Sequence, residues 1–207
     1  MTKKQASLLE TAKQKRDRIR SLDLADGDPL ANAPADPALL FSLEEVAVLL
    51  KPLMGMEAPR DEGNRILEVR PKGHWFEFEV AKCLGYHYPP GSGLFPDLRH
   101  QILEVKHHTG KSVTIDFGHH HPGSDEIIEA RWNEKMRVKV SDIRYLIALA
   151  PPPEFRVGVM VLATGSQIDS IFGVSPTQTI KYQLGISKQW RDEHMGQILV
   201  SGKPFAG

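Results

Sequence analysis

Apolar and polar positions change period several times along this chain, and each change marks an element. In Phe41-Ser-Leu-Glu-Glu-Val46 the serine stands three residues before Glu45, the spacing of a capping box, with Phe41 and Val46 placed as a hydrophobic staple. Apolar positions then continue to Pro52, which predicts a helix over about 43–51. Gly55 to Asn64 carries no period and reads as irregular. Phe76, Val80, Cys83 and Leu84 next fall on one helical stripe, so Trp75–Leu84 is expected to be a helix lying on a sheet, stopped by Gly85.

Beyond a Gly91-Ser-Gly93 loop the text shortens into extended pieces. Leu94–Leu98, Ile102–His108 and Ser112–Phe117, separated by Arg99-His-Gln101 and Thr109-Gly-Lys111, read as an antiparallel meander. Ser124, with Asp125 and Glu126 behind it, caps a predicted helix to about Val138 whose one face holds Ile128, Trp132 and Met136. Arg144–Ala150 and Val157–Ala163 are apolar without alternation, as strands buried on both faces are. The expected fold is therefore an α/β sandwich with a mixed sheet. Pattern alone says little of the C-terminal part beyond strand-like pieces at Ile180–Leu184 and Gln197–Val200.

Composition adds two things. The 207 residues balance at 26 basic and 26 acidic, a neutral total that hides segregation. Residues 1–20 hold Lys3, Lys4, Lys13, Lys15, Arg16, Arg18 and Arg20 against only Glu10 and Asp17, and an acidic, Pro-rich stretch from Leu22 to Pro37 follows. The expected organisation is a basic arm and linker over 1–37, separable from a single domain over 38–207. The one cysteine, Cys83, rules out an intrachain disulfide and a multi-cysteine zinc site. No apolar run approaches the roughly 18 residues of a membrane span, and Met-Thr-Lys-Lys does not open a signal peptide, so no membrane association and a cytoplasmic location are expected.

Chemistry concentrates in Phe95-Pro-Asp97-Leu-Arg-His-Gln-Ile-Leu-Glu104-Val-Lys106. Glu104 and Lys106 lie two apart on one strand and so project from one face, while Leu103 and Val105 pack the other. A tight hairpin brings Asp97 beside Glu104. Two carboxylates converging with a backbone carbonyl form a hard-oxygen site for a magnesium-class ion, and the lysine reaches the water that such an ion polarises. A structural ion pair of Lys106 with either carboxylate is the plainer alternative, although charges inside an apolar strand cost several kcal/mol and call for a reason.

With Pro96-Asp97 followed by Glu104-Val-Lys106, the chain resembles the PD-(D/E)xK nuclease superfamily, which includes most type II restriction endonucleases and the strand-nicking mismatch-repair endonuclease. The resemblance spans about residues 72–163. It implies a restriction-endonuclease-like core with a four- or five-stranded mixed sheet flanked by helices. It also implies a Mg²⁺ ion, with Mn²⁺ as substitute, held by Asp97, Glu104 and the carbonyl of Val105. Lys106 would orient the attacking water, and a glutamate on the preceding helix would bind a second ion or position water. Glu77 and Glu79 both qualify, since they flank the apolar stripe at about 100° and −60° from Phe76. Glu77 is preferred because an aromatic residue directly precedes the helix glutamate in many family members. Double-stranded DNA is the implied partner, cut to 5′-phosphate and 3′-hydroxyl ends, with a homodimer if both strands are cut. A nickase, a junction resolvase or a repair nuclease is the alternative of the same fold, and a non-enzymatic DNA-binding module the alternative of another class.

The remaining candidates are weaker. His107 and His108, with His119-His-His121, suggest a metal cluster by number, but consecutive histidines on a strand alternate faces. Asp116 would share a face with Thr114 and approach the same metal, or simply end its strand. Arg131, Lys135, Arg137 and Lys139 form a basic stretch that either meets DNA phosphates or is a solvated helix face.

Overall fold

The computed structural model describes residues 2–25, 28–65, 67–87, 95–109, 112–115, 121–127, 138–174 and 182–206. In chain order it contains α1 (Lys3–Ser21), α2 (Leu43–Leu50), α3 (Val69–Leu84), β1 (Leu103–His108), β2 (Ser112–Ile115), β3 (Arg144–Leu149) and β4 (Val159–Thr164). These are followed by α4 (Gly165–Ile171), β5 (Gly173–Val174), β6 (Tyr182–Gly185), α5 (Lys188–His194), β7 (Gln197–Val200) and β8 (Lys203–Pro204).

A five-stranded mixed sheet in the order β1-β3-β4-β7-β8 forms the centre. β1 runs parallel to β3 and β4 parallel to β7, while β3 and β4 are antiparallel, as are β7 and β8. One face, with Leu103, Val105, Leu146, Ala148, Met160 and Leu162, shares a core with α1, α2 and α3. The other face, with Tyr145, Ile147, Val159, Val161 and Ala163, packs against α4 and against the small antiparallel sheet β2-β6-β5. Both faces of β3 and β4 are thus covered, which explains why their sequences do not alternate.

The helices follow their local signals. Ser42 Oγ accepts from the Glu45 amide and Glu45 Oε2 from the Ser42 amide, so α2 begins on the expected capping box. α3 starts earlier than expected because Pro71 falls in its first turn, where the missing amide costs nothing. It stops at Gly85, whose φ of 99° suits glycine and whose added Cβ would lie 2.7 Å from the Arg16 carbonyl oxygen.

That close approach corrects one expectation. Residues 3–21 are a packed helix rather than a separable arm: Ala12 and Ile19 are fully buried in the core shared with α2 and α3, and Lys15 pairs with the buried Glu45 at 2.8 Å. The charge run conceals an apolar stripe of few residues, too sparse to announce itself beside seven cations.

The meander is corrected too. β1 and β2 enter different sheets, and residues 95–98 supply only a bridge between Leu98 and Leu103. Leu103, Glu104, Val105 and His107 of β1 are buried beside β3, whereas β2 buries Val113 in the second layer. Ser124–Ile127 are not helical: Ile127 bridges Lys139 instead, and residues 128–137 of the expected helix lie outside the described residues. Among the described residues no helix is long and apolar enough to cross a membrane.

Candidate active site

β1 is the edge strand of the central sheet. The carbonyls of Ile102 and His108 accept from the amides of Arg144 and Ala150, each at 2.9 Å. In a parallel ladder every second residue turns its backbone to the neighbour, so Glu104 and Lys106 bond towards β3. The amide and carbonyl of Val105 consequently face the open edge.

The preceding segment folds onto that edge. Leu98 and Leu103 exchange amide hydrogen bonds of 2.9 and 3.1 Å, one 3-10 turn at Arg99–Gln101 joins them, and Ile102 closes the corner at φ 51°. A buried polar network holds this turn: Tyr86 Oη meets His100 Nδ1 at 2.7 Å, Gln101 Nε2 donates to Tyr86 Oη at 3.0 Å, and the Arg144 guanidinium donates to the carbonyls of Phe41 and Gln101.

Asp97 therefore lands level with Val105. The Val105 amide donates to Asp97 Oδ2 at 2.8 Å, and the Asp97 amide donates to Glu104 Oε2 at 3.0 Å. Each carboxylate is thus held by backbone from the other's side of the corner. Lys106 Nζ lies 2.6 Å from Glu104 Oε1, with the Glu104 side chain only 3% exposed.

α3 crosses the other face of β1, the Phe76 ring standing 5.1 Å from the ring of His107. Glu77, next to Phe76, accepts from His74 Nδ1 at 3.3 Å when that nitrogen carries the proton, and its charge bears on both Asp97 and Glu104. Glu79 is committed to Lys82, at 3.0 and 3.1 Å. Of the two helix glutamates, Glu77 is the one whose charge reaches the carboxylate pair.

Burial pushes the carboxyls of Glu77, Asp97 and Glu104 up from their ordinary values. Repulsion adds to this, from Glu77 on Asp97, from Asp97 on Glu104 and from Glu104 on Glu77, while Lys106 pulls all three down. Three carboxyl groups thus share the influence of one ammonium, which pairs with Glu104, leaving an excess of negative charge in a poorly solvated place. A hard divalent cation relieves that excess, and the available donors are the oxygen ligands such an ion takes. Among the described residues no three His, Cys, Asp or Glu side chains already stand at cage spacing; the nearest approach to a donor set is Asp97, Glu104 and the Val105 backbone.

Compared with protein-family models, with curated proteins and with solved structures, the chain matches none.

The described histidines His107, His108 and His121 do not form one site. His107 is 8% exposed, packed by Trp75 and Phe76 and lowered to about 4 by burial, with Lys72 and His108 adding to the effect. His108 points to the opposite face, and His121 pairs with Asp169 at 2.8 Å. His119, His120 and Asp116 lie outside the described residues, as do Arg131, Lys135 and Arg137. Lys139 is exposed and paired with Asp125 at 3.0 Å.

Two features carry no clear sequence signal. The network of Tyr86, His100, Gln101 and Arg144 is assembled from three distant segments. Tyr145 sits inside an apolar run, where an aromatic residue reads as core, yet it faces Glu104 across the β1–β3 ladder.

Proposed function

We propose that this protein is a divalent-metal-dependent endodeoxyribonuclease that hydrolyses phosphodiester bonds of double-stranded DNA. The observation that carries this reading is the reciprocal bracing of Asp97 and Glu104, with Lys106 on Glu104, the charge of Glu77 bearing on Asp97 and that of Glu104 on Glu77. A purely structural ion pair needs one carboxylate, not three. Asp97, Glu104, the Val105 carbonyl and Glu77 are the residues that would hold Mg²⁺ or Mn²⁺. When bound, such an ion supplies Lewis-acid polarisation of the phosphate and lowers the pKa of water.

The chain's own groups do the rest. Lys106 stays cationic beside Glu104, so it orients the attacking water and offsets negative charge building on the phosphoryl oxygens, rather than serving as the base. The backbone bonds at the corner fix Asp97 and Glu104 before substrate arrives, so little reorganisation is needed at the reaction step. Water adds to phosphorus and the bond to the 3′ oxygen breaks, giving a 5′-phosphate and a 3′-hydroxyl.

The finer reading, a restriction-type enzyme cutting both strands at a specific sequence as a homodimer, rests on the resemblance of Pro96-Asp97 and Glu104-Val-Lys106. The neutral net charge accords with it, since indiscriminate phosphate binders are usually basic. Incubation with mixed-sequence plasmid DNA and Mg²⁺, followed by end-group analysis, tests both levels. Discrete linear fragments with 5′-phosphates support the full proposal. Open circles alone replace it with a nickase, and DNA binding without any strand break leaves a non-enzymatic binding module.

A further inference from the structure

The phenol of Tyr145 is completely buried, and its hydroxyl has no hydrogen-bond partner among the described residues. A buried hydroxyl left unpaired costs free energy, so a native structure that keeps one usually supplies a partner outside the protein atoms. Its surroundings say what that partner touches. Tyr145 is the register neighbour of Glu104 across the β1–β3 pair, so the two side chains leave the sheet on the same face. The charges of Glu104 and of Asp169 on α4 both reach the phenol, and with its burial they hold it well above an ordinary tyrosine.

Glu104 has room for another donor. Its Oε1 takes Lys106 and its Oε2 takes the Asp97 amide, while an ionised carboxylate offers about four acceptor sites. The ring is held on the apolar side by the core it shares with Ile147, Val161 and Phe172, so the hydroxyl is the one polar atom Tyr145 presents there.

We infer that Tyr145 is a positioning residue for Glu104, its hydroxyl donating to a bound water that in turn donates to the Glu104 carboxylate. The water satisfies the phenol and fixes the carboxylate's rotation before a cation arrives. Outer partners of this kind typically change metal affinity 10- to 100-fold when removed. The inference rests on the cation site proposed above and deepens it.

Tyr145→Phe deletes the oxygen and keeps the ring. Calorimetric titration with Mn²⁺, alongside urea unfolding in metal-free buffer, reads the two possible roles separately. The expected result is Mn²⁺ affinity 10- to 100-fold weaker in the variant, with metal-free stability equal to or above that of wild type. Affinity within about threefold of wild type overturns the positioning role, and so does a loss confined to the metal-free stability. Absence of Mn²⁺ binding by the wild-type protein overturns the cation site itself, and Tyr145's role with it.

Discussion

Replacing Asp97 by Asn puts a charge argument to the test, because it removes one negative charge while keeping an oxygen for the Val105 amide. Burial and then the charge of Glu77 raise the Asp97 pKa from 3.8 to about 6. A shift of about 2 units is worth about 3 kcal/mol at about 1.4 kcal/mol per unit, and that is the largest relief the substitution offers. Part is lost, since a neutral amide oxygen accepts the Val105 amide more weakly than a carboxylate by about 1 kcal/mol. The net expectation in metal-free buffer at pH 8 is a gain of about 1–2 kcal/mol. At about 2–4 °C per kcal/mol for a chain this long, the melting temperature rises by about 2–8 °C.

The sign follows from linkage. A carboxyl whose folded pKa lies above its unfolded value destabilises the fold when ionised, so the gain is absent below about pH 4, grows between about 4 and 6, and is level above that. Scanning calorimetry of both proteins at pH 4 and pH 8, with parallel cleavage assays, provides the check. The variant is expected to be more stable at pH 8, to lose the extra stability at pH 4, and to cut DNA at least 10²-fold more slowly. A loss of more than about 1 kcal/mol at pH 8 would instead make Asp97 a structural brace of the corner rather than a strained ligand.

Lys106→Ala removes the cation that favours ionised Glu104, so its melting temperature should fall against wild type at pH 9.5 and recover at pH 5, where Glu104, raised to about 8, is protonated in both proteins; equal deficits at both pH values would show that the pair is not electrostatically coupled. In the wild type without metal, stability should decline as the pH rises above about 7.5. There His100 and His107, lowered from 6.5 to about 4 by folding, have lost nearly all their protons in the unfolded chain as well, while Glu104, raised to about 8, releases a proton taken up on folding. Mg²⁺ should flatten the decline in a calorimetric scan, and an unchanged slope would count against binding at this cluster. Ile19→Ala should cost about 2–4 kcal/mol in urea unfolding, because α1 is part of the core; a cost below about 0.5 kcal/mol would restore the picture of a separable arm.

Much of this arrangement is legible in the sequence where short-range chemistry decides. Ser42 and Glu45 cap α2, Gly85 ends α3, and the unalternating runs of β3 and β4 announce burial on both faces. Asp97 and Glu104 meet because only one 3-10 turn separates Leu98 from Leu103, a distance the spacing already constrains. Long-range choices are less visible. Nothing in Ser112–Ile115 says which sheet it joins, since a short strand with one apolar face pairs wherever a partner edge is free, and β6 supplies it some 70 residues later. Helical projection does not separate Glu77 from Glu79; the engagement of Glu79 by Lys82 one turn away, which favours Glu77, depends on a side-chain pairing that the projection does not show. Tyr145 faces Glu104 only because β1 and β3 adopt one particular parallel register, which no local pattern dictates.

Whether Asp97, Glu104 and Lys106 form a cation-dependent phosphodiesterase site is read from side-by-side cleavage of supercoiled plasmid DNA by wild type and Lys106→Ala. Wild type with Mg²⁺ should convert the plasmid to linear product, while the variant with Mg²⁺ and the wild type in excess chelator should leave it supercoiled. Conversion by Lys106→Ala at more than about a tenth of the wild-type rate, or cutting that persists in chelator, would contradict the account, because removing such a group costs at least 10²-fold where it acts on the transition state.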